Sequence, residues 1–234
     1  MKAPILILII FISFQSNAQE KKHIYIDYSH NIIDKKEFTR KINSKLFLIA
    51  QSENDTVVFQ KLRFKEFYGH LGFQKKEQLN KLFQKRFKIG SDKAWLVYYL
   101  DSLPKRDSTK PKIYNVNTQR FTVVDEFKRV TIIDLKEYKQ LKNAELLFFY
   151  GKNKGFPVEE VKMKMYKDKG RILKRVFSDW SKVYHTIIIF RHGDFYASID
   201  FKNYSEIKDF FKQKLYIQRK ETWKKEVKKL TNKK

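Results

Sequence analysis

The stretch that decides the fold is residues 94–100 (AWLVYYL), an unbroken run of seven apolar or aromatic side chains. A short apolar run that does not alternate with polar residues is typical of a buried strand. Residues 145–150 (ELLFFY) and 186–190 (TIIIF) are similarly apolar. Because amphipathic helical segments separate these strands, the sequence predicts an α/β or α+β protein in which helices flank a mixed sheet.

The half of the chain that leads to residues 94–100 alternates between strand-like and helix-like segments. Helices are predicted at 34–45, with Asp34 as the N-cap, and at 75–87, where apolar residues recur at helical spacing. The turn-forming residues 52–56 (SENDT) predict a hairpin. Strands are predicted at 23–28, 46–50, 56–64 and 94–100. This β-α-β-β-α-β order is that of a ferredoxin-like split β-α-β unit, over residues 19–104.

A polar segment separates this half from the next one. Residues 105–128 follow Pro104, include Pro111 and are rich in Lys, Arg, Ser and Thr at their start, so we expect a linker or long loop here. The sequence therefore predicts two compact subdomains, residues 19–104 and 129–218. A single sheet shared by both halves is the alternative.

The second half has the order β-α-β-α-β-β-α. Its predicted strands are 130–133, 145–150, 186–190 and 195–199, with a hairpin turn at His192-Gly193-Asp194 between the last two. Helices are predicted around residues 135–141, over 168–180, and from a Ser205 cap through Leu215.

This order resembles the thioredoxin fold over roughly residues 129–217. In that family a redox loop with the motif WCxxC follows the second strand, and a proline precedes the third. Here the corresponding loop is residues 151–157 (GKNKGFP), and the residues before Thr186 are KVYH. The resemblance therefore implies a degenerate thioredoxin-like domain without redox chemistry, and no functional residue of the family carries over to this chain.

The first eighteen residues have the features of a bacterial secretory signal peptide. Lys2 supplies a positive charge, residues 5–14 (ILILIIFISF) are apolar, and Ser16-Asn17-Ala18 precedes Gln19 with small residues at the cleavage positions. Ten residues of helix span about half of a ~30 Å hydrocarbon core, too little for a membrane anchor. We therefore expect cleavage after Ala18 and a periplasmic or secreted protein.

The chain contains no cysteine. Disulfides, a thiol nucleophile, a cysteine metal site and a lipoprotein anchor are thereby excluded. An exported protein of this kind must be stabilised by its core alone, which is feasible at this length because a domain of ~150 residues already buries ~70% of its unfolded surface.

The charge balance is strongly basic, with 51 Lys and Arg against 26 Asp and Glu and a net charge of +25. Such a field attracts polyanions, among them nucleic acid, lipopolysaccharide, anionic lipid head groups and acidic polysaccharide. Lys, Asn, Ile, Phe and Tyr are also the residues of A/T-rich codons, so genomic composition is an alternative cause. Positive charge is densest at residues 219–234, where eight Lys and Arg accompany only Glu221 and Glu226.

This C-terminal segment is predicted to be a basic amphipathic helix. Trp223, Val227 and Leu230 share one face. Either the helix binds an anionic surface or polyanion, or Trp223 docks it on its own domain and leaves the lysines solvated; the docking interpretation is favoured. The candidate contact residues for a polyanion or membrane are Arg219, Lys220, Lys224, Lys225, Lys228 and Lys229.

The sequence contains no complete catalytic motif of the kinds compared here. Residues 186–193 (TIIIFRHG) resemble the opening of the histidine phosphatases, in which the His is the nucleophile, but no second histidine follows His192. The glycines and lysines of residues 151–155 do not match a phosphate-binding GxxxxGK[ST] loop. Neither HExxH nor GxSxG occurs. We predict no catalytic residue, metal or cofactor from sequence, and no sequence motif specific for nucleic acid.

Two functional hypotheses remain. The preferred one is a non-enzymatic exported binding or accessory protein with a basic surface and an unknown partner. The alternative is a hydrolase whose site is assembled from dispersed side chains, and convergence of those side chains in one concave pocket would distinguish it. The residues to examine first are Tyr28, His30, His70, Arg191 and His192.

Overall fold

The structure is a computed structural model that describes residues 21–103, 135–160, 164–179 and 182–231. It divides into two compact units, one ending at Arg63 and the other beginning at Phe64. The predicted signal peptide, the linker at residues 105–128 and the strand at 130–133 lie outside the described residues. No helix in the described ranges is both long enough and apolar enough to cross a bilayer.

Over residues 21–63, the first unit is a sheet with one connecting helix. Within the described residues the strand order is β2-β1-β4-β3, with β1 parallel to β4 and antiparallel to β2. Its elements are β1 (Lys22–Ile26), β2 (Ile32–Ile33), α1 (Lys35–Ile42), β3 (Phe47–Glu53) and β4 (Val57–Phe64), the last of which ends on the first residue of the second unit.

Local side-chain capping explains the boundaries in this unit. The Asp34 carboxylate accepts a 2.7 Å hydrogen bond from the Glu37 N–H, which confirms the predicted N-cap. Strand β1 ends at Ile26 because the Asp27 carboxylate accepts from the N–H groups of Ser29 and Asn31 and folds the chain into a turn.

The predicted hairpin between β3 and β4 is confirmed. The Asn54 N–H donates to the Val57 carbonyl across the turn at 3.0 Å. The Asn54 side-chain oxygen also accepts from the Thr56 and Val57 N–H groups. One asparagine therefore satisfies most of the polar backbone in this turn.

The second unit contains a six-stranded mixed sheet, with the order β5-β12-β11-β6-β7-β8 in the described residues. Strands β9 and β10 form a separate pair, and short 3-10 turns lie at Val158–Glu160 and Lys208–Phe211. Its strands are β5 (Glu66–His70), β6 (Ala94–Leu103), β7 (Ala144–Asn153), β8 (Met165–Lys167), β9 (Ser178–Asp179), β10 (Lys182–Val183), β11 (Thr186–Ile189) and β12 (Asp194–Ser198). Its helices are α2 (Phe73–Phe87), α3 (Leu135–Tyr138), α4 (Ile172–Phe177), α5 (Tyr204–Ile207) and α6 (Gln213–Thr231).

Strand β6 lies in the interior of this sheet. It runs parallel to β7, with Tyr98 opposite Phe148, and antiparallel to β11, with Val97 opposite Ile187. Residues 94–100 are all buried. The strand predicted at 94–100 is therefore confirmed and extends to Leu103, and the predicted mixed sheet flanked by helices is confirmed with it.

Alternate side chains of β6 enter two separate cores. Trp95, Val97 and Tyr99 face the core that includes residues of helices α2 and α4. Leu96, Tyr98 and Leu100 face the core that includes Ile207, Phe210 and Tyr216 near the C-terminus. Because both faces of the strand are apolar, the sheet needs a covering layer on each side.

Helix α6 is held against the sheet by Trp223. The indole ring lies 5.1 Å from the ring of Phe64 and 5.6 Å from the rings of Phe67 and Tyr68, measured between centroids. Tyr216, two turns earlier, is buried. The packing of Trp223 on its own unit, which the docking interpretation requires, is therefore confirmed.

The predicted division between the two halves is wrong. Strands β5 and β6 share one sheet with β7, β11 and β12, so the chain divides between Arg63 and Phe64 rather than within residues 105–128. The physical reason is that β6 needs a partner at each edge, and both partners come from later in the chain. The predicted β-α-β-β-α-β unit is accordingly split between two sheets.

The helices predicted at 168–180 and from Ser205 differ in their bounds from the observed ones. The helix predicted at 168–180 is α4, which starts at Ile172 because the buried Asp168 carboxylate accepts from the Ile172 and Leu173 N–H groups. The helix predicted from Ser205 through Leu215 is capped by Asn203 and is interrupted at Lys212, whose backbone is extended.

Candidate functional site

Residues 190–194, which form the turn between β11 and β12, carry three ionisable side chains, those of Arg191, His192 and Asp194. Gly193 has a φ of +94°, which favours glycine, and its N–H donates to the Phe190 carbonyl. A Cβ at this position would lie 2.7 Å from the Leu71 carbonyl oxygen. The turn therefore packs tightly against the chain leaving β5, which brings His70 beside Asp194.

Three basic side chains converge on the Asp194 carboxylate. Lys220 Nζ lies 2.7 Å from Oδ2, His70 Nδ1 lies 2.8 Å from Oδ1, and His192 Nε2 lies 3.4 Å from Oδ2. They come from α6, from the end of β5 and from the turn itself. The Asp194 and Lys220 side chains are only 18% and 17% exposed, whereas those of His70 and His192 are 56% and 61% exposed.

The neighbouring charges keep this carboxylate ionised. Burial by itself raises the pKa of Asp194, but hydrogen bonds from Lys220 and His70, followed by the positive charge of Lys220, bring that pKa below its ordinary value. Asp194 therefore carries a full negative charge at neutral pH.

Aromatic rings line one side of the group. Phe190 lies 4.5 Å from the Tyr216 ring and 5.7 Å from the His192 ring, with which it is stacked. Burial, with a smaller contribution from the charge of Asp194, raises the pKa of Tyr216 well above its usual range. Tyr216 is therefore a neutral packing residue here.

The His70–Asp194 pair has the chemistry of an oriented general base. An ionised carboxylate hydrogen-bonded to Nδ1 selects the tautomer with the proton on Nδ1 and leaves Nε2 as the basic atom. Within the described ranges, no three His, Cys, Asp or Glu side chains are arranged to hold a metal ion.

The five residues of the hydrolase alternative do not all belong to one unit. His70 and His192 meet at Asp194, and Arg191 occupies the same turn. Tyr28 and His30 belong to the first unit, where Tyr28 stacks on Phe47 at 5.5 Å and His30 Nε2 lies 3.1 Å from Lys61 Nζ.

Half of the six candidate polyanion contacts are engaged within the fold. Lys220 neutralises Asp194, the Arg219 guanidinium lies 4.7 Å from the Phe210 ring centroid, and Lys224 lies 2.8 Å from Glu221. Lys220, at 17% exposure, is a structural ion-pair partner rather than a surface contact, and we correct that prediction.

The other three, Lys225, Lys228 and Lys229, are exposed. At 3.6 residues per turn, these three lysines lie on the side of the helix opposite Trp223, within about 60° of the opposite direction when measured around the helix axis. Lys214 is also exposed and lies on the same outer face, although the sequence analysis did not include it. Extending the helical spacing backward from Lys225 would have found it.

Asp194 is the member of this cluster that sequence reasoning missed. It was assigned only to the hairpin turn, and no local motif links it to His70 or Lys220. A comparison of the chain with known protein families, curated proteins and solved structures finds no match.

We predict that Asp194→Asn destabilises the protein by roughly 1–3 kcal/mol at neutral pH, because Lys220 is left semi-buried without its countercharge. The pKa of Asp194 is lower in the folded state than in the unfolded state. The contribution of its carboxylate to the free energy of unfolding is therefore complete above the unfolded-state pKa of about 3.9, and it disappears as the pH falls through the folded-state pKa. Urea unfolding of both proteins from pH 7 to pH 2 measures this difference. A difference that is constant over the whole range would contradict the assignment.

Proposed function

We propose that this protein is an exported, non-enzymatic binding module that contacts anionic polymers or surfaces through the outer face of α6. The observation that supports the proposal is the division of that helix into two faces. Trp223 and Tyr216 pack on the sheet, while Lys225, Lys228 and Lys229 are exposed on the other side.

The packed face also decides the mode of binding. An amphipathic helix that enters a bilayer uses its apolar face, and here Trp223 on that face is occupied by Phe64, Phe67 and Tyr68. The contact is therefore electrostatic, between lysine ammonium groups and closely spaced phosphates or carboxylates.

Neutralising the outer face should weaken binding without unfolding the protein. A basic residue near an anionic surface contributes about 1 kcal/mol, so the triple substitution Lys225→Gln, Lys228→Gln, Lys229→Gln should lower affinity roughly 100-fold at low salt. The measurement is binding to phosphatidylglycerol vesicles and, separately, to heparin across a salt series, which also tells the two sources of negative charge apart.

The matched control removes the same charge from α2, through Lys75→Gln, Lys81→Gln and Lys85→Gln, all exposed in the structure. It should lose much less affinity. Equal losses in the two variants would mean that net charge alone drives binding, and an unchanged affinity in the α6 variant would refute the proposed site.

Export rests on the sequence of the first eighteen residues. We expect the mature protein to begin at Gln19, because the apolar run is followed by small residues at the cleavage positions. N-terminal sequencing of the protein recovered from the periplasm or culture medium tests this. Recovery with Met1 intact in a membrane fraction would contradict it.

We also propose that the second unit is built on a degenerate thioredoxin-like core, with β6 rather than residues 130–133 as its first strand. In support, β6 and β7 are a parallel pair, α4 follows, and the antiparallel hairpin β11–β12 leads into α5. The loop after β7 carries no cysteine. Such a core is a scaffold, and its function depends on the surfaces built on it.

A hydrolase is the second candidate, and the His70–Asp194 pair is the observation that favours it. In this case His70 Nε2 would take a proton from an attacking water. His70→Gln should then reduce hydrolysis of a panel of carboxylate and phosphate esters about 10²- to 10⁴-fold. The control is His23→Gln, an exposed histidine of the first unit. Equal activity in the wild type and both variants would remove this candidate.

A further inference from the structure

Strand β3 lies at one edge of the first unit's sheet, as far as residues 21–63 show. Strand β3 is the last strand in the order β2-β1-β4-β3, and no strand within the described residues pairs with its outer side. Leu48 and Ile49 are 38% and 45% exposed although both are aliphatic. A seven-residue edge strand with two exposed aliphatic side chains is a template for pairing with another strand.

The hairpin fixes which backbone groups point outward. The hydrogen bond from the Asn54 N–H to the Val57 carbonyl makes these two residues a hydrogen-bonded pair, and such pairs alternate along an antiparallel ladder. Ile49, Gln51 and Glu53 therefore direct their N–H and C=O groups away from β4. The 3.2 Å contact between the Gln51 and Gln60 side chains agrees with this register.

The distribution of charge selects the partner and its direction. Edge strands are usually protected from pairing by charged residues or proline. Residues 47–52 (FLIAQS) contain neither. Lys45 precedes the strand, whereas Glu53 ends it and Asp55 follows. An antiparallel copy of the same strand places opposite charges at both ends, whereas a parallel copy would place like charges side by side.

We propose that β3 pairs in antiparallel orientation with β3 of a second copy of this chain, around a two-fold axis at Ala50. In this register Ile49 lies opposite Gln51 of the second copy. The N–H and C=O groups that these two residues direct away from β4 can therefore hydrogen-bond to each other. Lys45, which precedes the strand, comes near the end of the second copy's strand that carries Glu53. The interface is isologous and closes after two copies.

The dimer should be weak and dependent on concentration. A single seven-residue ladder buries less surface than the 1,200–2,000 Å² typical of stable complexes. Ala50 suits the axis because its small side chain allows the two strands to approach. It lies opposite itself as a non-hydrogen-bonded pair, with a Cα–Cα distance of about 4.5 Å.

The absence of cysteine provides a direct test. In the full chain, Ala50→Cys introduces a single thiol, and a separation of about 4.5 Å lies within the range that a disulfide accepts. Mild oxidation should therefore convert this variant to a covalent dimer. Ser52→Cys is the matched control. The cysteines at position 52 of the two chains would lie four residues apart along the paired strands, more than ~13 Å, which is too far for a disulfide.

Sedimentation of the unmodified protein gives a second, independent measurement. The wild type should show a reversible monomer–dimer equilibrium that Ile49→Lys shifts to monomer, whereas Ile32→Lys, at the opposite edge of the same sheet and 76% exposed, should leave it unchanged. The proposal is overturned by a wild type that stays monomeric, by equal cross-linking of the two cysteine variants, or by a dimer that only Ile32→Lys disrupts.

Discussion

The rest of the second unit depends on the burial of β6 on both faces and along both edges. Trp95 and Tyr98 are fully buried on opposite faces of this strand. Because each face must be covered, α2 and α4 pack on one side and the C-terminal elements on the other. Helix α6 is therefore part of the fold rather than a free tail, and its orientation follows from the burial of Tyr216.

The basic face and the Asp194 group are consequences of the same packing. A helix that buries Tyr216 and Trp223 directs Lys220 toward Asp194 and Lys225, Lys228 and Lys229 to solvent. Lysines on this outer face repel one another at helical spacing, but they lie near the C-terminus, where the helix dipole favours positive charge. The charge is therefore tolerated structurally and available for binding.

Local patterns in the sequence predicted the individual helices and strands of this fold better than they predicted which of these elements pair or pack with one another. The apolar run at 94–100 and the turn residues around Asn54 each predicted their element from residues close together in the chain, and the amphipathic pattern around Trp223 favoured docking without indicating its partners. The pairing of β6 with β7 and β11 was not predicted, since hydrophobic periodicity carries no information on which strands meet. Likewise, Asp194 and His70 are 124 residues apart, so only the register of β12 with β5 reveals their contact.

Hydrogen exchange of α6 in the free, full-length protein tests the central claim most directly. If the packing of Trp223 makes the helix part of the folded unit, its backbone amides should exchange far more slowly than those of an unstructured peptide, without any polyanion present. Trp223→Ala should speed exchange throughout α6, and Trp223→Phe should largely preserve protection. Exchange at the rate of an unstructured chain, with protection appearing only on addition of a polyanion, would contradict the account.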